Sequence, residues 1–140
     1  MCFDRSEESW ARVLVLKFVK GKSLATILDD MIDNPAGADQ ETADKISSFM
    51  MNAYDSVDQI HQSNVTHMNT EAYKCLVKKS GKFCWLDFTR AQRLDFEEES
   101  RAVDLLKASD LGRVNNFIQR VCYDLEISYK FENEGVPIII

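Results

Sequence analysis

Five side chains between His67 and Asp87 are the candidates for chemistry in this chain: His67, Asn69, Glu71, Lys74 and Asp87. They fall within one stretch, IHQSNVTHMNTEAYKCLVKKSGKFCWLDFTRA, that runs from Ile60 to Ala91. Asn69 is isosteric with a carboxylate but neutral, so it holds a loop by hydrogen bonds and cannot act as a general base. Lys74 carries a fixed ammonium, which repels a hard divalent cation where oxygen ligands would hold one. Asp87 has a carboxylate that could face a metal, cap a turn or pair with a lysine.

Without gaps, the same stretch resembles the catalytic loop, the following β-hairpin and the metal-binding turn of protein kinases. His67-Met68-Asn69 stands where that family has His-Arg-Asp, Lys74 where it has Asn, and Asp87-Phe88-Thr89 where it has Asp-Phe-Gly. Glu71 falls where the family has a phosphate-facing Lys. The resemblance implies a loop Asp that takes the substrate proton, and an Asn and an Asp that hold magnesium against the phosphates. Asn69 removes the loop charge, Glu71 inverts the phosphate-facing one and Lys74 puts an ammonium in place of a neutral ligand, which leaves Asp87 as the one remaining metal candidate. Its expected role is a cap or an ion pair with Lys74, and His67 is expected to be a structural ring tying the loop to the core. Trp85 and Phe88 are expected in the core.

Upstream, RVLVLKFVKGKSLATILDDM, from Arg12 to Met31, is similar to the last strand of the small kinase lobe, the hinge and the first helix of the large lobe. On that alignment Leu16 is the gatekeeper position and Lys17 to Val19 are the hinge, so a vestigial nucleotide site would comprise Leu16, Lys17, Val19, Leu76 and Asp87. Only about a dozen residues precede the strand, with neither a Gly-rich loop nor a strand-borne Lys. Most of the small lobe (the N-lobe) is therefore expected to be missing, and its loss should open an apolar face carrying Leu14, Leu16, Phe18 and Leu76. The prolines are Pro35 and Pro137, so the Ala-Pro-Glu that closes a kinase activation segment does not occur. Asp110-Leu111-Gly112 is similar to the start of the large lobe's central helix, which implies that Asp110 anchors the backbone of Val65 to Asn69. Leu86 to Ala91 leans toward fungal kinase-like and aminoglycoside-phosphotransferase-like sequences.

Hydrophobic periodicity supplies the elements that would position these residues. Leu24, Ile27, Leu28, Met31 and Ile32 predict a helix capped by Ser23, and Asn34-Pro35 with Gly37 ends it. Ile46, Phe49, Met50, Ala53, Val57 and Ile60 predict a second helix of about twenty residues. Cys75 to Val77 and Phe83 to Leu86 flank a Lys-Ser-Gly turn and predict a hairpin. If residues 78 to 81 form the turn, Cys75 faces Cys84 across it. Glu97 to Glu99 suit the start of a third helix, and Leu111, Val114, Phe117, Ile118, Val121 and Leu125 predict a fourth. The C-terminal Pro-Ile-Ile-Ile reads equally as a last strand or a docking tail. The expected fold is mainly α with a small β-hairpin, a kinase large-lobe (C-lobe) core without its late helices. It is one domain over residues 1–140, with a residual strand and hinge over 1–22 and a helical lobe over 23–140.

A net charge of −6 and a pI near 4.9 disfavour nucleic acid and anionic membranes, since no basic stripe stands out to displace counterions. The run Lys78-Lys79-Ser80-Gly81-Lys82 reads as a solvated hairpin turn. No apolar run approaches the ~18 residues of a transmembrane span, and the amino terminus has no signal-peptide pattern. The setting is expected to be cytoplasmic, either native or as a secreted effector in a host cytosol. Four cysteines, Cys2, Cys75, Cys84 and Cys122, lack metal-ligand spacing and read as reduced thiols. The expected function is that of a catalytically inactive, pseudokinase-like protein with no cofactor. It would act on a protein partner, such as a kinase or kinase substrate, as a decoy, inhibitor or regulator, with a homodimer through the open face as a further form. The alternatives are a minimal phosphotransferase that uses Asp87 with magnesium and ATP, and a fragment of a longer kinase-like protein.

Overall fold

The structure is a computed structural model that describes residues 16–33, 40–95, 100–131 and 137–139. It is mainly helical, with three α-helices and short antiparallel sheets among the described residues. An extended segment, 16–20, leads into β1 (Lys22–Ser23) and α1 (Leu24–Asp33). Ser23 caps α1 as expected, its Oγ accepting the Thr26 N–H at 3.1 Å. The expected α1 terminator, Asn34-Pro35 with Gly37, lies outside the described residues, as do Leu14 and Glu97 to Glu99.

The second helix, α2 (Gln40–Gln62), buries Ile46, Met50, Ala53, Val57 and His61, which recur three or four positions apart and form one stripe. Asn64, in the left-handed region at φ 59, turns the chain out of it. The two C-terminal helices expected from the sequence are one helix, α3 (Ser100–Asp124). Asp110, the expected helix start, lies inside α3, and its carboxylate bonds residues 42 and 43 positions earlier and not its own backbone. An Asp so engaged offers the helix no competing local bond, and Gly112 is carried inside the helix at a cost of about 1 kcal/mol. Past its end, Glu126 sits at φ 56, the Ile127 N–H reaches the Cys122 carbonyl (2.8 Å) and the Glu126 N–H reaches Tyr123 (3.1 Å). This is a Schellman closure with a glutamate where glycine is usual.

The expected hairpin, β3 (Cys75–Val77) and β4 (Phe83–Trp85), forms with a shifted register: Val77 pairs with Phe83, Leu76 with Cys84 and Cys75 with Trp85. The turn is the reason. Gly81 N–H bonds the Lys78 carbonyl at 2.8 Å, Lys78 N–H bonds Lys82 at 2.9 Å, and Gly81 takes φ 85. A type I turn followed by a left-handed glycine makes a three-residue loop with a bulge, which changes the pairing parity. Cys75 therefore points into the core beside Trp85, and Cys84 lies on the opposite face beside Leu76. Both thiols are free, and they do not face each other.

The hairpin gains a third strand, since β1 pairs with β3 through Lys22↔Val77 and Ser23↔Leu76. Gly21 makes this approach feasible, because a Cβ there would lie 2.6 Å from the Val77 carbonyl oxygen. A second ladder joins β2 (Val65–Thr66) to β5 (Gln92–Arg93), so the chain entering the candidate loop is bonded to the chain leaving the Asp87 turn. The open choice at the C terminus resolves as a strand: β6 (Tyr129–Phe131) pairs with β7 (Pro137–Ile139), which lies beside α2. One core joins these parts, with Leu24 and Leu28 of α1, Ile46, Met50, Ala53 and Val57 of α2, Cys75 and Trp85 of the hairpin, and Val114, Ile118, Val121 and Cys122 of α3. Among the described residues no helix is long and apolar enough to cross a membrane.

Candidate functional site

Asp110 is fully buried at the middle of α3 and organises the candidate loop. Its Oδ2 accepts the His67 N–H at 2.9 Å and its Oδ1 accepts the Met68 N–H at 2.8 Å. The His61 ring, from the end of α2, donates Nε2–H to Oδ2 at 2.8 Å, and Thr70 Oγ1 donates to the Asp110 carbonyl at 2.7 Å. These bonds fix a loop in which Met68 adopts φ 65. Burial alone would raise the Asp110 pKa. The hydrogen bonds from His61, His67 and Met68 together outweigh it and hold the carboxyl below its ordinary value. The expected anchoring role of Asp110 is thus what the geometry displays.

The His67 ring is fully buried. Its Nε2 donates to the Leu86 carbonyl at 2.7 Å, which leaves Nδ1 to accept the Asn69 N–H at 3.1 Å. Both nitrogens are committed, so the ring spans from the loop to the residue preceding Asp87 and has no lone pair left for a substrate proton. Its edge meets the Phe88 ring at a centroid distance of 4.6 Å, with Trp85 at 5.9 Å. Trp85 is in the core as expected, with Nε1 donating to Ser56 Oγ at 2.8 Å. Phe88 is not, being 46 % exposed. It opens a short 3-10 turn (Phe88–Arg90) that carries its ring to the surface and leaves only one side on His67.

Asp87 caps that turn from the left-handed region at φ 61. Its Oδ1 accepts Thr89 Oγ1 at 2.6 Å and the Thr89 N–H at 3.3 Å, and its Oδ2 is hydrogen-bonded to the Lys74 ammonium. The bond from Lys74, then those from Thr89, hold this carboxyl far below the usual carboxylate range. Both oxygens are engaged by the chain itself, and the Lys74 ammonium sits 5.4 Å from the centre of the Tyr73 ring. Among the described residues no three His, Cys, Asp or Glu side chains converge as metal ligands would. Glu71 faces Arg113 of α3 at 3.4 Å.

The structure brings His67, Asn69, Lys74 and Asp87 into one cluster through the two ladders and Asp110. It gathers the expected nucleotide residues less well. Leu16 and Lys17 lie exposed in the extended segment, Val19 is half-buried, and Leu76 is half-buried beside Cys84. An open cleft of about 520 Å³ beside the loop is lined by Glu71, Asn116, Phe117, Gln119, Arg120 and Tyr123. A second, of about 470 Å³, lies between α2 and the hairpin turn, where Asp55 and Lys82 are among its walls. Neither is lined by Leu16, Lys17, Val19, Leu76 or Asp87. Sequence reasoning missed His61, although its place four residues after Val57 on the apolar stripe marks it as a buried ring in need of a polar partner. The chain matches no protein-family model and no curated protein.

Proposed function

We propose that this chain is a kinase-like protein without phosphoryl-transfer activity that acts by binding another protein, such as a kinase or a kinase substrate, as a decoy or regulator. The observation that carries this reading is the Lys74–Asp87 pair. By the resemblance, magnesium would sit between these two positions, and here an ammonium of the chain's own neutralises the carboxylate. Asn69 supports the same reading, because a neutral amide in place of the loop carboxylate removes the general base. The loop itself is retained and pinned by Asp110, which suits a part kept for its shape. The exposed Leu16 and Phe18 supply the binding face.

Calorimetric titration of magnesium and ATP into the protein tests the reading, with an assay for phosphate transfer to itself or to a general protein substrate. The expected result is neither binding heat nor transfer. Phosphate transfer that disappears in Asp87→Ala would overturn it. The double change Asn69→Asp with Lys74→Asn is expected to restore magnesium-dependent nucleotide binding without turnover, since Glu71 would still stand where the resembled family has a phosphate-facing Lys.

A further inference from the structure

The structure joins two basic segments that lie far apart in sequence. Residues 16–28 contain Lys17, Lys20 and Lys22 and no carboxylate, and residues 75–86 contain Lys78, Lys79 and Lys82 and no carboxylate. The Lys22↔Val77 pairing and the seating of Gly21 against the Val77–Lys78 backbone put the two runs side by side at one end of the β1-β3-β4 sheet. Five of the six lysines are exposed and Lys78 is half-buried, and none is in an ion pair among the described residues. Asp55 lines the same described cleft as Lys82, without a salt bridge between them. Six of the chain's 17 basic residues are thus at one pole, and the other 11 stand against 23 acidic residues. The pole carries +6 and the remainder −12. Neither run stands out as a basic stripe along the sequence, because each alone is only three lysines long.

Two apolar side chains stand within this pole, Leu16 at 74 % and Phe18 at 86 % exposure. The segment that bears them, 16–20, is extended, and among the described residues no hydrogen bond engages its backbone. It continues into β1, an outer strand of its sheet.

We infer that this pole docks an extended acidic segment of a partner protein, one with apolar residues among its carboxylates. The partner backbone would pair along residues 16–20 in the manner of an added strand, its carboxylates would meet the lysines, and its apolar side chains would cover Leu16 and Phe18. Charge complementarity selects the acidic partner. The unpaired backbone selects a peptide over a lipid surface or a nucleic acid, neither of which can complete a strand ladder. The net −12 of the remaining chain further opposes approach to an anionic membrane. The inference rests on the protein-interaction reading above and on no residue of the Asp87 loop.

The test is fluorescence anisotropy of a labelled peptide of alternating Glu and Leu, with alternating Lys and Leu as control and with phosphatidylserine vesicles and a single-stranded oligonucleotide as competitors. Saturable binding of the acidic peptide alone is expected, weakening with added salt. It should weaken at least about tenfold in Lys17→Glu/Lys20→Glu and again, separately, in Lys79→Glu/Lys82→Glu, as repulsion replaces attraction at the interface. Far-UV circular dichroism of both variants is expected to match the parent, because the four lysines are exposed. No binding, equal binding of the basic peptide, or binding unchanged in both variants would overturn the inference. So would displacement of the peptide by vesicles or oligonucleotide at lower concentration, or salt-sensitive dimerisation by light scattering that blocks the peptide. Loss of peptide binding with a silent ATP titration would count against this inference alone. Nucleotide turnover with intact peptide binding would count against the absence of catalysis alone.

Discussion

One carboxylate, Asp110, does more for the loop than any group within it. Removing it leaves the buried His67 N–H, the part-buried Met68 N–H and the His61 ring without their acceptor, and an unpaired buried donor costs about 1–3 kcal/mol. Asp110→Ala is therefore expected to lower stability by roughly 3 kcal/mol, read as a shift in the urea midpoint at unchanged slope. The same group sets an acid dependence. Its folded pKa lies below its unfolded value of about 3.9, so its contribution is complete above that pH and fades as pH falls through the folded value. Stability measured between neutral pH and pH 3 should fall at the acid end for the parent, and fall less in Asp110→Ala. His67, by contrast, is a spacer with both nitrogens occupied, which is why its position in the motif says little about proton transfer. Burial pushes the Cys75 thiol up to about 12 and the Cys122 thiol up to about 11, so both stay protonated.

Short elements are aligned by single backbone requirements. Gly21→Ala would set a methyl 2.6 Å from the Val77 carbonyl oxygen, and a backbone atom cannot rotate away as a side-chain tip can. The substitution is expected to cost about 1–3 kcal/mol, or to release β1 from β3, visible as faster amide exchange at Lys22 and Ser23. Glu126 offers the opposite case. It closes α3 at φ 56, where glycine is relaxed and a side chain is strained, so Glu126→Gly is expected to raise stability by roughly 0.5–1 kcal/mol in thermal unfolding. The hairpin makes the same point about turns. One left-handed glycine, Gly81, decides which residue faces which along β3 and β4.

At the scale of the molecule, a single cluster runs through α1, α2, α3 and the hairpin, with no division between them. Such a core unfolds as one unit. In a Trp10→Phe background, where Trp85 is the remaining tryptophan, its fluorescence and far-UV circular dichroism are expected to give the same urea midpoint. Separate midpoints would mean that the hairpin loosens independently of the helices. The charge distribution also belongs to this scale, since neither lysine run has unusual density until β1 docks on β3.

The sequence by itself determined the local elements: the Ser23 cap, the apolar stripes of α1 and α2, the hairpin signal, and the neutral amide of Asn69 and fixed ammonium of Lys74. These are legible because helix period, capping and side-chain charge are properties of neighbours along the chain. It also pointed to Asp110 as an anchor, through the resemblance and not through spacing. Tertiary structure alone decided the hairpin register, the union of the two expected C-terminal helices, the partnership of His61 with Asp110, the surface position of Phe88 and the gathering of six lysines at one pole. Each of these depends on contacts across 42 to 57 residues or on the dihedral of one turn residue. Pairings at such separations depend on how the elements pack, and a residue's type records its own preferences but not the identity of the distant group it will meet.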